Sequence, residues 1–314
     1  MSKVIPFISQ LPVHEQNQWL AKLNQVLAPH QVILAERMSN EEKLQVKVAI
    51  VANPEPTELA LFTNLVWVQS LWAGVERLVK EIAQPQFNIV RMVDPKLAQT
   101  MAEAVLTWSL YLHRQIPLYI AQQKRGDWQQ HPVVNASECN IGVLGLGKLG
   151  QASALRLKDN GFNVYGWSAS SKNLTGVKCY SGKKGLETLL ANVNIVVVLL
   201  PLTDATDLLL NKALIYKLPK GANIINFARG RVIDLQAVIE GLDNGQLSHA
   251  VLDVFEHEPL MPNDPLWRHG KITILPHISA PTNLTSAAQV VRKNILHYFN
   301  EGIIPEAVNI KRAY

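Results

Sequence analysis

Residues 139–150 read Cys139-Asn140-Ile141-Gly142-Val143-Leu144-Gly145-Leu146-Gly147-Lys148-Leu149-Gly150. Residues 141–144 form a short apolar run of strand type, the glycines fall as G-x-G-x-x-G, and a helical pattern follows from about 151 to 160. In that arrangement Gly145 makes the tight turn, Gly147 lets a pyrophosphate approach the backbone, and Gly150 lets the helix pack closely on its strand. The free N–H groups and positive dipole end of the helix favour the negative charge of a phosphate. Glycine-rich turns also arise wherever φ must be positive, so the neighbourhood decides the reading. A strand precedes the turn, a helix follows it, and a second strand at 162–167 ends where a cofactor ribose belongs. The cofactor contacts expected at the turn are Gly145, Leu146, Gly147, Lys148, Leu149 and Gly150.

Downstream, strand patterns recur at 194–200, 222–227, 249–254 and 271–275, with helical patterns between several of them, including 235–243. Upstream, strands at 3–9, 31–35, 46–52, 66–71 and 88–93 alternate with helices at 13–28, 56–63 and 75–82. Strand and helix in alternation mark a parallel sheet covered on both faces. From 94 to about 123 the pattern is helical without a break until Pro117, with Leu97, Met101, Val105, Trp108 and Leu112 on one stripe, and 124–135 is loop-like. The last helix, 286–300, follows the final strand and is free to fold back on the first unit. The fold expected is α/β with two doubly wound parallel-sheet domains: a Rossmann dinucleotide-binding domain at 101–283, and a flavodoxin-like one built from 1–100 and 284–314.

Composition narrows the function classes. A chain of 314 residues, 48% hydrophobic and 18% charged, has ample core for two domains. The longest apolar run, 195–202, is far too short to span a bilayer, and the start lacks a basic segment leading into an apolar one, so a soluble cytoplasmic protein is expected. Two cysteines, Cys139 and Cys179, make neither a disulfide framework nor a metal site. His113, His131, His249 and His297 show no metal spacing. The net charge of +5 and pI near 9.1 come from scattered lysines and arginines. Such a field steers a small anionic substrate and a polyphosphate cofactor; it does not argue for nucleic acid.

In an open α/β sheet the ligand sits outside the carboxyl ends of the strands. Three apolar runs end in residues with chemistry: Ala228-Arg229-Gly230 after 222–227, Phe255-Glu256-His257-Glu258-Pro259 after 249–254, and Pro276-His277-Ile278-Ser279 after 271–275. Arg229 offers a permanently charged fork suited to a carboxylate or to a carbonyl oxygen gaining charge. His277 can give that oxygen a proton as hydride reaches the carbon, or remove it in reverse. A carboxylate such as Glu258 on the ring favours its protonated form. Singly, each also reads as a surface ion-pair partner; together, after strands of one cofactor domain, they make a coherent set.

At these residues the chain resembles the D-isomer-specific 2-hydroxyacid dehydrogenases. Asn226-Phe227-Ala228-Arg229-Gly230, Leu252-Asp253-Val254-Phe255 with Glu258-Pro259-Leu260, and Leu275-Pro276-His277-Ile278-Ser279-Ala280 match family motifs in the expected order. Gly166-Trp167-Ser168, Pro265-Leu266-Trp267-Arg268-His269 and the ending Arg312-Ala313-Tyr314 are similar to the bacterial glyoxylate/hydroxypyruvate reductases of the A type. The resemblance implies a substrate domain made of the first unit plus the last helix, with Arg229 holding the substrate, His277 as acid/base and Glu258 as its partner. It also implies that Ala73, Gly74 and Val75, in the loop Leu71-Trp72-Ala73-Gly74-Val75-Glu76, present backbone N–H groups to the substrate carboxylate, and that Trp267 lines the pocket. The alternative local reading of that loop is a strand-ending turn with Gly74 for positive φ. Further cofactor contacts implied are Leu200, Pro201, Thr206, Ala228 and Asp253. The stripe through Met101, Val105 and Trp108 reads as packing and not as a cofactor box; a homodimer is implied too, whose surface could include part of that stripe.

NAD-specific sites carry an acid at the end of the second strand. Here Trp167-Ser168-Ala169-Ser170-Ser171-Lys172 has none, and Ser168, Ser170 and Lys172 suit a 2′-phosphate, so NADP is favoured, with NAD possible if the segment is an ordinary polar turn. The activity expected is reduction of a small 2-oxo acid by NADPH. The alternatives are a dehydrogenase of a larger 2-hydroxy acid and a non-enzymatic dinucleotide sensor.

Overall fold

The structure, a computed structural model, describes residues 2–82 and 85–310. The motif at Arg312 to Tyr314 lies outside the described residues. The chain divides into two units, 1–96 with 282–314, and 97–281.

The first unit holds a five-stranded sheet of β1 (Val4–Ser9), β2 (Gln31–Leu34), β3 (Val48–Ala52), β4 (Trp67–Ser70) and β5 (Asn88–Val90) in the order β2-β1-β3-β4-β5. Every pairing in it is parallel. This is the flavodoxin-like order, with both faces covered. All five residues of β3 are buried, which is why Val-Ala-Ile-Val-Ala reads as an unbroken apolar run. The last helix, Leu284–Glu301, belongs to this unit. Ala287, Ala288, Val291 and Ile295 recur at helical spacing and are fully buried with Ile5, Phe7, Ile50 and Trp67. Asn283 starts it, its Oδ1 accepting from the Thr285 and Ser286 amides, and Gly302 at φ +71° ends it. Asn294 Nδ2 donates to the fully buried Gln69 at 2.7 Å, and Ser286 Oγ to Asp94 at 2.5 Å, so helix and sheet meet through polar as well as apolar contacts.

The second unit holds seven strands: β6 (Asn140–Leu144), β7 (Asn163–Ser168), β8 (Lys178–Ser181), β9 (Ile195–Val198), β10 (Ala222–Asn226), β11 (Leu247–Leu252) and β12 (Ile272–Ile274). Their order is β12-β11-β10-β9-β6-β7-β8, all parallel. From β6 the chain winds one way to β8 and then the other way to β12, so the switch point lies between β6 and β9, at the glycine turn. Its helices include Lys148–Asp159, Gly182–Leu190 and Leu235–Asp243.

Several local expectations are corrected. The long connector breaks at Gln115, which takes φ +55°, and not at Pro117; the helices are Pro95–His113 and Ile116–Arg125, and Pro117 sits in the first turn of the second, where a missing N–H costs nothing. The helix after the glycine turn begins at Lys148, three residues early. β8 carries no apolar pattern to be read, since none of its four residues is fully buried, whereas the helix behind it sets Leu186, Leu189 and Leu190 at helical spacing, all three buried. Met101 and Val105 are buried beside Ile141 and Val143, the packing expected of that stripe, so neither contributes to a subunit surface.

Candidate active site

The glycine turn carries out three separate tasks. Gly145 takes φ +105°, and a Cβ there would lie 2.6 Å from the Leu199 carbonyl oxygen. Gly150 is tighter still: a Cβ would lie 1.7 Å from the carbonyl oxygen of Gly145, so the first turn of the helix rests directly on the glycine turn. A Cβ on Gly147 would meet nothing within 4 Å, and Gly147 is the N-cap of the helix, with exposed Lys148 next to it. The turn thus presents open backbone at a helix N-terminus, the cradle a pyrophosphate requires. Leu146 is buried and fills the space that Gly166 leaves on β7, whereas Leu149 is half-buried.

β7 ends at Ser168, which is nearly buried and donates its hydroxyl to the Ser170 carbonyl at 2.7 Å; Ser170 and Lys172 are exposed. Register places Ser168 beside Ser181, the last residue of β8. Lys183 and Lys184 follow at once and are exposed, and Trp167 Nε1 donates to Gly182 O at 2.9 Å, tying the two strand ends together. These lysines fall outside the sequence-based expectation because β8, with no fully buried residue, has no apolar pattern to mark it. A charge signal was available: between Asp159 and Glu187 there is no acid and there are four lysines, Lys172, Lys178, Lys183 and Lys184.

After β9, Leu200 is buried and Pro201 half-buried; Thr206 Oγ1 donates to Pro201 O at 2.6 Å and accepts from Thr203 N at 2.8 Å, which folds the loop into a compact turn. After β10, the buried Asn226 organises the next loop: its Oδ1 accepts from Ala228 N at 3.1 Å and its Nδ2 donates to Arg229 O at 3.1 Å. Arg229 Nη1 donates to Ala228 O at 2.7 Å. Asn226 is a site-building residue whose signal is a polar side chain directly after the apolar pair Ile224-Ile225 at the carboxyl end of the strand.

After β11 and β12 the two remaining predicted groups come together. His277 Nδ1 and Glu258 Oε2 are 2.7 Å apart, and Glu258 Oε1 accepts from Phe255 N at 2.8 Å, so both carboxylate oxygens are engaged. His277 is held at φ +54°, a conformation non-glycine residues adopt rarely. What holds it there is Asp253, only 2% exposed, whose carboxylate accepts from Ile278 N at 2.7 Å and Ser279 N at 3.0 Å, while its carbonyl accepts from His277 N at 3.0 Å. Strain of this kind at a titratable group accompanies function. Trp267 stands in a short 3-10 turn, Pro265–Arg268, half-exposed, with Nε1 donating to Met261 O at 2.8 Å.

In the first unit, Ala73 and Gly74 are half-buried and Val75 is buried, in the segment that leaves the carboxyl end of β4. Trp72 in the same loop donates to Asn53 Oδ1 at 2.9 Å. Among the described residues there is no cluster of three His, Cys, Asp or Glu side chains able to hold a metal, and no helix is long and apolar enough to cross a membrane.

Residues 106–279 match the family model for the D-isomer specific 2-hydroxyacid dehydrogenase, NAD binding domain. A D-isomer specific 2-hydroxyacid dehydrogenase from Xanthobacter autotrophicus Py2, solved with NADPH and MES, superposes with a TM-score of 0.93 at 36% identity, over 100% of both chains. An NADPH-dependent glyoxylate/hydroxypyruvate reductase from Sinorhizobium meliloti, solved with NADP and sulfate, gives 0.90 at 29% identity, again over 100% of both. A probable 2-hydroxyacid dehydrogenase from Rhizobium etli CFN 42, in complex with NADP, HEPES and L(+)-tartaric acid, gives 0.88 at 28% over 100% of both.

Proposed function

The chain belongs to the D-isomer specific 2-hydroxyacid dehydrogenases, a family of NAD(P)-dependent oxidoreductases, and from that premise we propose that it reduces small 2-oxo acids, glyoxylate and hydroxypyruvate among them, with NADPH. The observation that carries this reading is the His277–Glu258 pair at 2.7 Å on the same strand edge as Arg229 and the open glycine turn.

The residues present fit the cofactor: the open backbone at Gly147 and the helix N-terminus at Lys148 would receive the pyrophosphate, and Ser170, Lys172, Lys183 and Lys184, exposed on the segments that follow β7 and β8, would hold a 2′-phosphate. When bound, NADPH supplies the hydride. Arg229 binds the 2-oxo acid and draws charge onto its keto oxygen. Because Nδ1 of His277 faces Glu258, Nε2 is the nitrogen that delivers the proton to that oxygen, and in the reverse direction removes it. Glu258, 2.7 Å from Nδ1, fixes the ring's orientation. The family resemblance assigns the Ala73, Gly74 and Val75 amides to the substrate carboxylate and Trp267 to the pocket wall, with Leu200, Pro201, Thr206, Ala228 and Asp253 on the cofactor side.

We place the protein in the cytoplasm, on its two free cysteines, and read it as a homodimer. Leu110, Ile116, Leu118, Tyr119, Ile120 and Trp128 are exposed apolar residues on and after the two connector helices, with Trp128 97% exposed. Exposed apolar side chains in that number along one segment suit a subunit surface, and sedimentation that finds monomer alone removes the dimer.

The test of function is the loss of reduced-nicotinamide absorbance with glyoxylate, hydroxypyruvate and pyruvate, each with NADPH and with NADH. Turnover with NADPH and a small oxo acid is expected. Tight NADPH binding without turnover on any of them points to a bulkier acid or to a sensor.

A further inference from the structure

Arg231 is the point at which three loops of the strand edge are fastened. Its Nε and Nη2 donate to the two carboxylate oxygens of Asp207 at 2.8 and 2.6 Å, and its Nη1 donates to Glu256 Oε1 at 2.9 Å. The Asp207 carboxyl is held below its ordinary range by those hydrogen bonds from Arg231. The main chain follows the same path. Leu208 N donates to Arg231 O at 2.7 Å and Leu210 N to Val232 O at 3.1 Å, with Leu208 itself at φ +49°. On the other side Gly230 lies flat against the next loop: a Cβ there would be 2.2 Å from the carbonyl carbon of Phe255 and 2.4 Å from Glu256 N.

Each fastened loop leads to a group of the proposed reaction. From Asp207, whose N–H donates to Thr203 O at 2.8 Å, the Thr203–Thr206 turn runs back to Pro201 and Leu200 on the cofactor side. From Glu256 the neighbouring Phe255 N–H reaches Glu258 Oε1, and Glu258 reaches His277. Arg231 itself is two residues from Arg229. An exposed ion pair adds little to stability, but a bidentate fork with a third bond to a second carboxylate fixes relative positions, which a lysine or a neutral side chain cannot do.

We propose that Arg231 is a positioning residue for hydride transfer, holding the cofactor-side loop through Asp207 and the acid/base loop through Glu256. This rests on the reductase reading above. The two arms separate experimentally, because one acts on cofactor affinity and the other on the proton-transfer geometry, where a misplacement near 1 Å lowers rate by about 100-fold.

The experiment compares full-length wild type with D207N, E256Q, R231Q and R231K. It measures NADPH affinity by fluorescence titration, kcat and KM for glyoxylate, and the thermal midpoint. D207N is expected to weaken NADPH about fivefold with kcat within about twofold, and E256Q to lower kcat about tenfold with NADPH affinity within about twofold. R231Q should show both effects and R231K should recover part of one. The proposal is overturned if the variants change only the thermal midpoint, or if D207N and E256Q move both constants by the same factor. Should wild type reduce no 2-oxo acid, the reductase reading fails on its own, and an unchanged NADPH affinity in D207N still overturns the clamp.

Discussion

Replacing Gly147 and Gly150 separately by Ala distinguishes binding from folding at one turn. At Gly150 the new Cβ would stand 1.7 Å from the Gly145 carbonyl oxygen, where ordinary contact begins at 3.4 Å, so helix and turn must part by about 1.7 Å. The obstacle is backbone and cannot rotate away. Overpacking of well-fitted cores costs about 1–3 kcal/mol and occasionally more, and G150A belongs at the upper end of that range. At Gly147 the φ of −74° and ψ of −168° suit any residue, and a Cβ meets nothing within 4 Å. G147A therefore folds as well as wild type or gains about 0.4–1 kcal/mol from a stiffer unfolded chain. Its methyl group instead occupies the space through which a pyrophosphate approaches. Thermal unfolding with and without NADPH reads both effects. At 100 times Kd the ligand stabilises wild type by about 2.7 kcal/mol; that increment should vanish for G147A, whose unliganded midpoint stays at or above wild type, while G150A melts well below. A G147A protein that NADPH stabilises like wild type, or a G150A protein of wild-type stability, would refute the geometric argument.

Replacing His277 by Ala should abolish turnover and leave NADPH binding intact, and E258Q should lower kcat by about 10²–10⁴, the range of general acid–base catalysis, with stopped-flow assays as the check; appreciable activity in H277A removes the assignment. The triple replacement K172A/K183A/K184A should weaken NADPH by about tenfold or more and leave NADH affinity unchanged, measured by fluorescence titration; equal loss for both cofactors would show that the lysines do not face the 2′-phosphate. His249 is 6% exposed, with Nε2 2.9 Å from Thr273 Oγ1, and burial pushes its imidazole down to about 4 from an ordinary 6.5. The unfolded chain then binds a proton in the window from about 6.5 to 4 that the folded chain does not, so this contribution is complete above about pH 6.5 and lost as pH falls through the window, about 3 kcal/mol at most. Denaturant titrations at pH 7.5 and 5.0 should show the decline in wild type and a smaller one in H249Q.

The part of this protein legible from sequence is the part written in local patterns. A strand buried on both faces, such as Val-Ala-Ile-Val-Ala at β3, must be apolar throughout, and a helix packed on one face, such as Leu284–Glu301, must repeat small and branched residues every three to four positions. The same locality reveals the glycine turn and the habit of Arg229, Glu258 and His277 of following apolar runs. β8 was illegible for the same reason: Lys178–Ser181 pairs only with β7 and is never fully buried, so burial imposes no pattern on it.

Distances between loops are another matter. Glu258 reaches His277 across 19 positions, Arg231 reaches Asp207 and Glu256 across 24 and 25, and Ser181, two residues before Lys183, comes beside Ser168 only through the β7–β8 register. The sequence alone determined the α/β alternation, the phosphate turn and the chemical kinds of group on offer. Only the tertiary structure decided which of them meet, because strand order and register bring together loops whose residue patterns record burial against the sheet and carry no information about one another.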